Sequence, residues 1–128
     1  MVNNETDIDN YLPKIIDIIN DNYPNGIIEK SFTFGQLTLT IEIAELKNII
    51  SFLKDDPRCN FHCFVDLCGV DFPDRPLRFE VVYHLLSLIN NTRIRLKVNV
   101  ADNSPVPSIM DIFPAANWFE REAFDLYG

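Results

Sequence analysis

The stretch from Thr92 to Val100 constrains the fold of this chain more than any other. Ile94, Leu96, Val98 and Val100 alternate without a break with Arg93, Arg95, Lys97 and Asn99. Successive strand residues point to opposite faces, so this segment predicts a strand with one apolar and one charged face. A sheet built on it buries one side and leaves the other to water. Two further segments repeat the pattern. Leu37, Leu39, Ile41 and Ile43 alternate with Thr38, Thr40 and Glu42, and Phe79, Val81 and Tyr83 alternate with Arg78 and Glu80. Ser31 to Phe34 is expected to pair with the Leu37–Ile43 strand across Gly35-Gln36. Phe61 to Val70, apolar and bounded by turn residues, reads as another strand. Ile89-Asn90-Asn91-Thr92 reads as a tight hairpin turn.

The period changes elsewhere. Leu12, Ile15, Ile16 and Ile19 fall at i, i+3, i+4 and i+7, as do Leu46, Ile49, Ile50 and Leu53. Each set predicts an amphipathic helix. Asp7 or Asp9 is suited to cap the first, Pro13 fits only its opening turn, and Tyr23-Pro24-Asn25-Gly26 ends it. The second helix stops before Asp55-Asp56-Pro57. Ser108 to Tyr127 reads as helical, interrupted or restarted at Pro114. The predicted order is α-β-β-α-β-β-β-α: an α+β fold with a single mixed, mainly antiparallel sheet and helices packed on one face. At 128 residues the chain has room for one core, so residues 1–128 are read as a single domain.

Charge and composition narrow the function classes. Lys and Arg total 11 against 19 Asp and Glu, so the net charge is 11 − 19 = −8. That balance disfavours nucleic acid or an anionic membrane as a general partner. No apolar run reaches the ~20 residues that a spanning helix needs. Met1 to Asn10 is acidic and polar, unlike a secretory signal or an Arg-rich transit peptide. Four glycines, Gly26, Gly35, Gly69 and Gly128, form no phosphate-binding loop.

Candidate chemistry gathers around the cysteines. Cys59, His62, Cys63 and Cys68 lie within ten positions and invite a metal or thiol-enzyme reading. The spacing opposes a metal, because no Cys-x-x-Cys knuckle is present. On a strand His62 and Cys63 would face opposite ways. Buried free cysteines pack as small hydrophobes, and that is the preferred reading; Cys63 in particular is expected to share a buried face with Phe61 and Val65. A nucleophilic pair of Cys63 or Cys68 with His84 lacks a recognisable orienting group. His84 is expected to pack on a central strand. Arg93, Arg95 and Lys97 read as a solvated strand face, with a carboxylate-rich partner as the alternative.

The C-terminal run Asn117-Trp118-Phe119-Glu120-Arg121-Glu122-Ala123-Phe124-Asp125-Leu126-Tyr127-Gly128 is the most unusual segment. On a helix, Trp118, Glu122 and Asp125 share one side, while Phe119, Ala123 and Leu126 form an adjacent apolar stripe. So apolar a helix must be buried on more than one side with its charges paired. Arg121 is expected to be held by carboxylates, Asp125 or acids from another element or subunit. Arg121→Met is therefore expected to weaken folding or assembly, and Arg93→Met to leave folding unchanged.

This run resembles the signature of the 30 kDa (C-type) subunit family of the proton-translocating NADH–quinone oxidoreductase, respiratory complex I. Arg78 to Leu88, Asp66-Leu67-Cys68-Gly69-Val70-Asp71, Val106-Pro107-Ser108-Ile109 and Phe113-Pro114-Ala115-Ala116 are similar to the segments that lead up to it. The resemblance implies a non-catalytic hydrophilic subunit of the peripheral arm that supports the quinone-site (D-type) subunit. It implies no flavin, iron–sulfur cluster, metal or quinone bound by this chain, the complex itself using NADH, FMN, iron–sulfur clusters and quinone. It places Trp118, Glu120, Arg121, Glu122, Asp125 and Tyr127 at subunit interfaces. The enzyme activity belongs to the complex, expected on the cytoplasmic side of a bacterial inner membrane. Family members continue past the signature glycine, so the chain is expected to lack their C-terminal tail. The rival reading is a stand-alone α+β thiol or metal enzyme using Cys59, His62, Cys63 and Cys68.

Overall fold

A computed structural model describes residues 14–33, 36–72, 74, 76, 79–89, 91–101 and 106–127, excepting the side chains of Thr33 and of 122–127. The first helix, α1, occupies 14–22 and buries Ile15 and Ile19. Leu12, Pro13 and the expected caps Asp7 and Asp9 lie outside the described residues. The chain turns at Gly26, whose amide donates to the Tyr23 carbonyl at 3.0 Å. A Cβ at Gly26 would come within 2.8 Å of Ile49 Cδ1 and 3.3 Å of the Tyr23 carbonyl oxygen, so a side chain there would require the Ile49 side chain to shift.

Five strands form one sheet in the order β1-β2-β5-β4-β3. They are β1 (Ile27–Thr33), β2 (Gln36–Ile41), β3 (Cys63–Asp71), β4 (Phe79–Ser87) and β5 (Thr92–Val100). All neighbours are antiparallel except β2 and β5, which run parallel. The mixed, mainly antiparallel α+β architecture predicted from the pattern is therefore present. Register explains why one face is apolar. Leu39 pairs with Leu96, Leu96 with Tyr83, and Tyr83 with Leu67, so one buried row crosses four strands. The next row, Thr38–Arg95–His84–Asp66, belongs to the opposite face.

Helix α2 (Leu46–Asp55) lays Leu46, Ile49, Ile50 and Leu53 into the core, the four positions that its periodicity marks. The strand before it is shorter than expected. Ile43 leaves the sheet to begin a single 3-10 turn, Ile43–Glu45, that launches α2. After α2, Asp56 organises the exit. Its carboxylate accepts from the Arg58 amide (2.8 Å), Nε (3.0 Å) and Nη2 (2.9 Å). Hydrogen bonding to the Arg58 side chain holds the Asp56 carboxyl below the usual carboxylate range. Asn60 then adopts a left-handed φ of 57°, and the Phe61 amide donates to the Leu53 carbonyl at 2.9 Å. This folds Cys59 and Phe61 back under α2, where both are fully buried.

Two expectations for the next segment need correction. The strand opens at Cys63 rather than Phe61, and its register shifts between Phe64 and Asp66. That β-bulge reverses the alternation at its start. Phe64 points inward against Phe113 and Phe119, at centroid separations of 5.8 and 5.6 Å. Cys63 is consequently only half-buried, and Val65 is exposed. Cys63 thus does not share a buried face with Phe61 and Val65. Nor does the C-terminal helix begin at Ser108. Residues 110–115 form tight turns, with the Phe113 amide on the Ile109 carbonyl (2.8 Å) and the Ala116 amide on the Phe113 carbonyl (2.9 Å). Helix α3 follows as Ala116–Tyr127.

Candidate docking surface

The segment before α3 and the first turns of the helix interlock through one carboxylate. Glu120 is only 6% exposed. Its Oε1 accepts the Ile109 amide at 2.8 Å and its Oε2 the Ser108 hydroxyl at 2.7 Å. The Ser108 oxygen in turn accepts the Met110 amide at 3.2 Å. A buried carboxylate is tolerated when its oxygens are filled by donors, and charge-assisted bonds are the stronger kind. Beneath it, Ile109, Phe113 and Ala116 are buried and Phe119 packs against Phe64. The fully buried Tyr83 has its hydroxyl titration pushed far up, first by burial and then by the Glu120 charge.

In the first turns of α3, Ala116, Phe119 and Glu120 turn inward while Trp118 and Arg121 face solvent. Trp118 is 72% exposed, and Arg121 is exposed as well. Among the described side chains of the run, the buried charge is therefore Glu120, not Arg121. The side chains of Glu122, Asp125 and Tyr127, and so the expected Arg121–Asp125 pairing, lie outside the described residues. A Trp side chain left in water on a helix anchored so firmly is suited to contact with another surface.

The cysteine cluster does not assemble as a unit. Cys59 lies in the core, where burial and then Asp56 push its thiol up to about 11. His62 is exposed, with Nε2 at 3.3 Å from Asn60 Oδ1. Cys68 is exposed on the open sheet face, so core packing does not describe it. What the sheet does bring together is Asp66, Cys68 and His84, whose ligand-type atoms all lie within 4.8 Å of one another. The Cys68–His84 pairing weighed from the sequence is thus brought together, while Asp66 was missed because its place beside them depends on the β3–β4 register; its one sequence trace is the Asp66-x-Cys68 spacing on one strand face. His84 is held below the usual imidazole range by burial, against the pull of Asp66 and with the push of Arg95 and Arg93. Burial thus opposes the charged imidazolium that an ion pair with Asp66, whose Oδ1 lies 3.7 Å from Nε2, would need. On the same face Arg95 Nη2 donates to Gln36 Oε1 (3.1 Å), and Lys97 Nζ meets Glu80 Oε1 at 3.5 Å. The basic strand face is thus partly paired rather than freely solvated.

Residues 39–128 match the family described as respiratory-chain NADH dehydrogenase, 30 Kd subunit. The chain belongs to this family. It is 62% identical over 94 residues to the C-type subunit of the NADH-quinone oxidoreductase of Xanthobacter autotrophicus, covering 73% of this chain and 45% of that protein. It is 47% identical over 117 residues to the corresponding protein of a Methylobacterium species, covering 91% of this chain and 54% of that protein. The chain thus spans about half the length of the curated relatives that it matches. The same fold occurs in a chain of the membrane-bound sulfane sulfur reductase, an archaeal respiratory membrane complex. That match has a TM-score of 0.77 and 24% identity over 91% of this chain and 67% of the other. The family's 30 Kd match takes in Glu120, Trp118 and all of the open face from Asp66 to Lys97.

Proposed function

We propose that this chain serves as a non-catalytic, hydrophilic subunit of the peripheral arm of a proton-translocating NADH–quinone oxidoreductase. Its part is to buttress the D-type subunit that forms the quinone pocket. Kinship with the 30 Kd family and its NADH-quinone oxidoreductase members supports the class of assembly. The observation that carries the docking role is α3: clamped from inside by Glu120 while it holds Trp118 out in solvent. Oxidoreduction then belongs to the assembly. Flavin, iron–sulfur clusters and quinone sit in other subunits, and the Cys59, His62, Cys63 and Cys68 set is not a redox centre. Among the described residues no helix is long and apolar enough to cross a membrane. Association with the cytoplasmic side of a bacterial inner membrane runs through the other subunits.

The test is recovery of partners from membranes with a tagged chain. The D-type subunit should co-purify in stoichiometric amount. Trp118→Ala should diminish that recovery while leaving the thermal unfolding of the chain unchanged. Recovery of the tagged chain alone, or undiminished recovery with Trp118→Ala, overturns the docking role of α3.

A further inference from the structure

The open face of the sheet carries three metal-ligand side chains of different chemistry on two neighbouring strands. Asp66 and Cys68 stand two positions apart on β3 and so project to the same side. His84 on β4 is the direct cross-strand partner of Asp66, and Val82, two positions before it, is the partner of Cys68. His84 is therefore opposite one ligand and diagonal to the other, within reach of both. The carboxylate oxygen, thiol sulfur and imidazole nitrogen all lie within 4.8 Å of one another. Asp66 Oδ1 and His84 Nε2 are 3.7 Å apart. Ligands at about 2.0–2.1 Å from a tetrahedral zinc stand about 3.4 Å from each other, so a small inward adjustment suffices.

A second observation concerns Asp66 Oδ1. It is shielded from solvent and accepts no hydrogen bond. An acceptor left in that state is costly unless something fills it. A water does so weakly; a cation does so directly. The ligand set also selects among cations. One thiolate and one imidazole suit zinc, whereas calcium and magnesium take oxygen ligands. Charge points the same way. Arg93 and Arg95 stand nearby and would repel a bare cation. A carboxylate and a thiolate supply two negative charges, so a divalent ion bound by them leaves no net positive charge for the arginines to oppose.

We propose that Asp66, Cys68 and His84 form a zinc site on the open face of the sheet. Asp66 and His84 also line a cavity of about 270 Å³ with Gln36, Arg93 and Arg95, and the fourth ligand is water or a donor from outside the chain. Binding converts the Cys68 thiol to a zinc thiolate and releases its proton to solvent. The site is independent of the docking role of α3, since it uses no residue of that helix.

The experiment titrates the purified full chain with zinc against a chromophoric chelator and, separately, with cobalt as a spectroscopic stand-in. One equivalent of zinc should bind, and cobalt should give a thiolate charge-transfer band in the near ultraviolet. Cys68→Ser should abolish the band. Asp66→Asn and His84→Asn should each weaken zinc by about 100-fold or more, at least the cost of losing an outer-shell partner. These side chains lie outside the apolar core, and circular dichroism of each variant checks the fold; if one variant unfolds, the other two carry the test. Cys63→Ser and His62→Asn should change nothing. Absence of stoichiometric zinc, a band that survives Cys68→Ser, or a loss caused by Cys63→Ser or His62→Asn would each overturn the site. Because the readout needs only this chain, failure to assemble with partners leaves the result unaffected.

Discussion

Glu120 and Arg121 are adjacent, yet the fold treats them oppositely. Glu120 is drawn inside because two donors, the Ile109 amide and the Ser108 hydroxyl, converge on its carboxylate. Glu120→Ala would leave the Ile109 amide without its acceptor in the interior, so a loss of about 1–3 kcal/mol is expected in urea or thermal unfolding. Glu120→Gln keeps an acceptor oxygen and should lose less. Alanine costing no more than glutamine would show that the clamp contributes nothing. The cysteines separate in the same residue-by-residue way. Reactivity follows thiolate population and access, and Cys59 has neither, being buried and pushed up to about 11. In the metal-free chain under native, mildly alkaline conditions a maleimide should label the exposed Cys68 first and the half-buried Cys63 more slowly. Cys59 should react only after denaturant. Native labelling of Cys59 at the rate of Cys68 would contradict the packing beneath α2.

At the scale of elements, the first turns of α3 carry both buried and exposed side chains, and the two ask for different measurements. Arg121 and Arg93 are both exposed, so Arg121→Met and Arg93→Met should each shift stability by no more than about 0.5 kcal/mol. Only Arg121→Met should reduce assembly on native gels, because only it lies on the docking side of α3. Equal assembly of the two variants would remove Arg121 from the interface. This differs from what the run suggests as a sequence, where an Arg between two Glu residues in an apolar helix invites pairing indoors. The helical stripe of α2 and the alternation of β5 were legible because each pattern is decided within its own segment. The bulge after Phe64 was not: the rings that Phe64 meets, Phe113 and Phe119, lie far along the chain. Ile43 continued the alternation of its strand but left the sheet, because the chain has to turn there to bring Leu46 and Ile49 over the core. The Asp66–Cys68–His84 grouping was illegible for a third reason. Periodicity gives the face on which a residue sits, but not its neighbour across the ladder.

For the whole molecule, the purified chain should be colourless and redox-silent, because the proposed cofactors of the assembly sit in other subunits and zinc has no visible absorption. A flavin or iron–sulfur absorbance that scales with protein concentration would refute that division of labour. The strand order has a consequence for synthesis. Of the five described strands β5 leaves the ribosome last, yet it lies in the middle, between β2 and β4. Until Val100 has emerged, the early hairpin β1–β2 and the later pair β3–β4 have no ladder connecting them. Each presents an unpaired edge at which β5 will later dock, and such edges recruit wrong partners. The domain therefore cannot be acquired in stages from its N-terminus. A nascent chain halted just short of Thr92 has most of its apolar residues in hand but only two separate hairpins, not one sheet, in which to bury them.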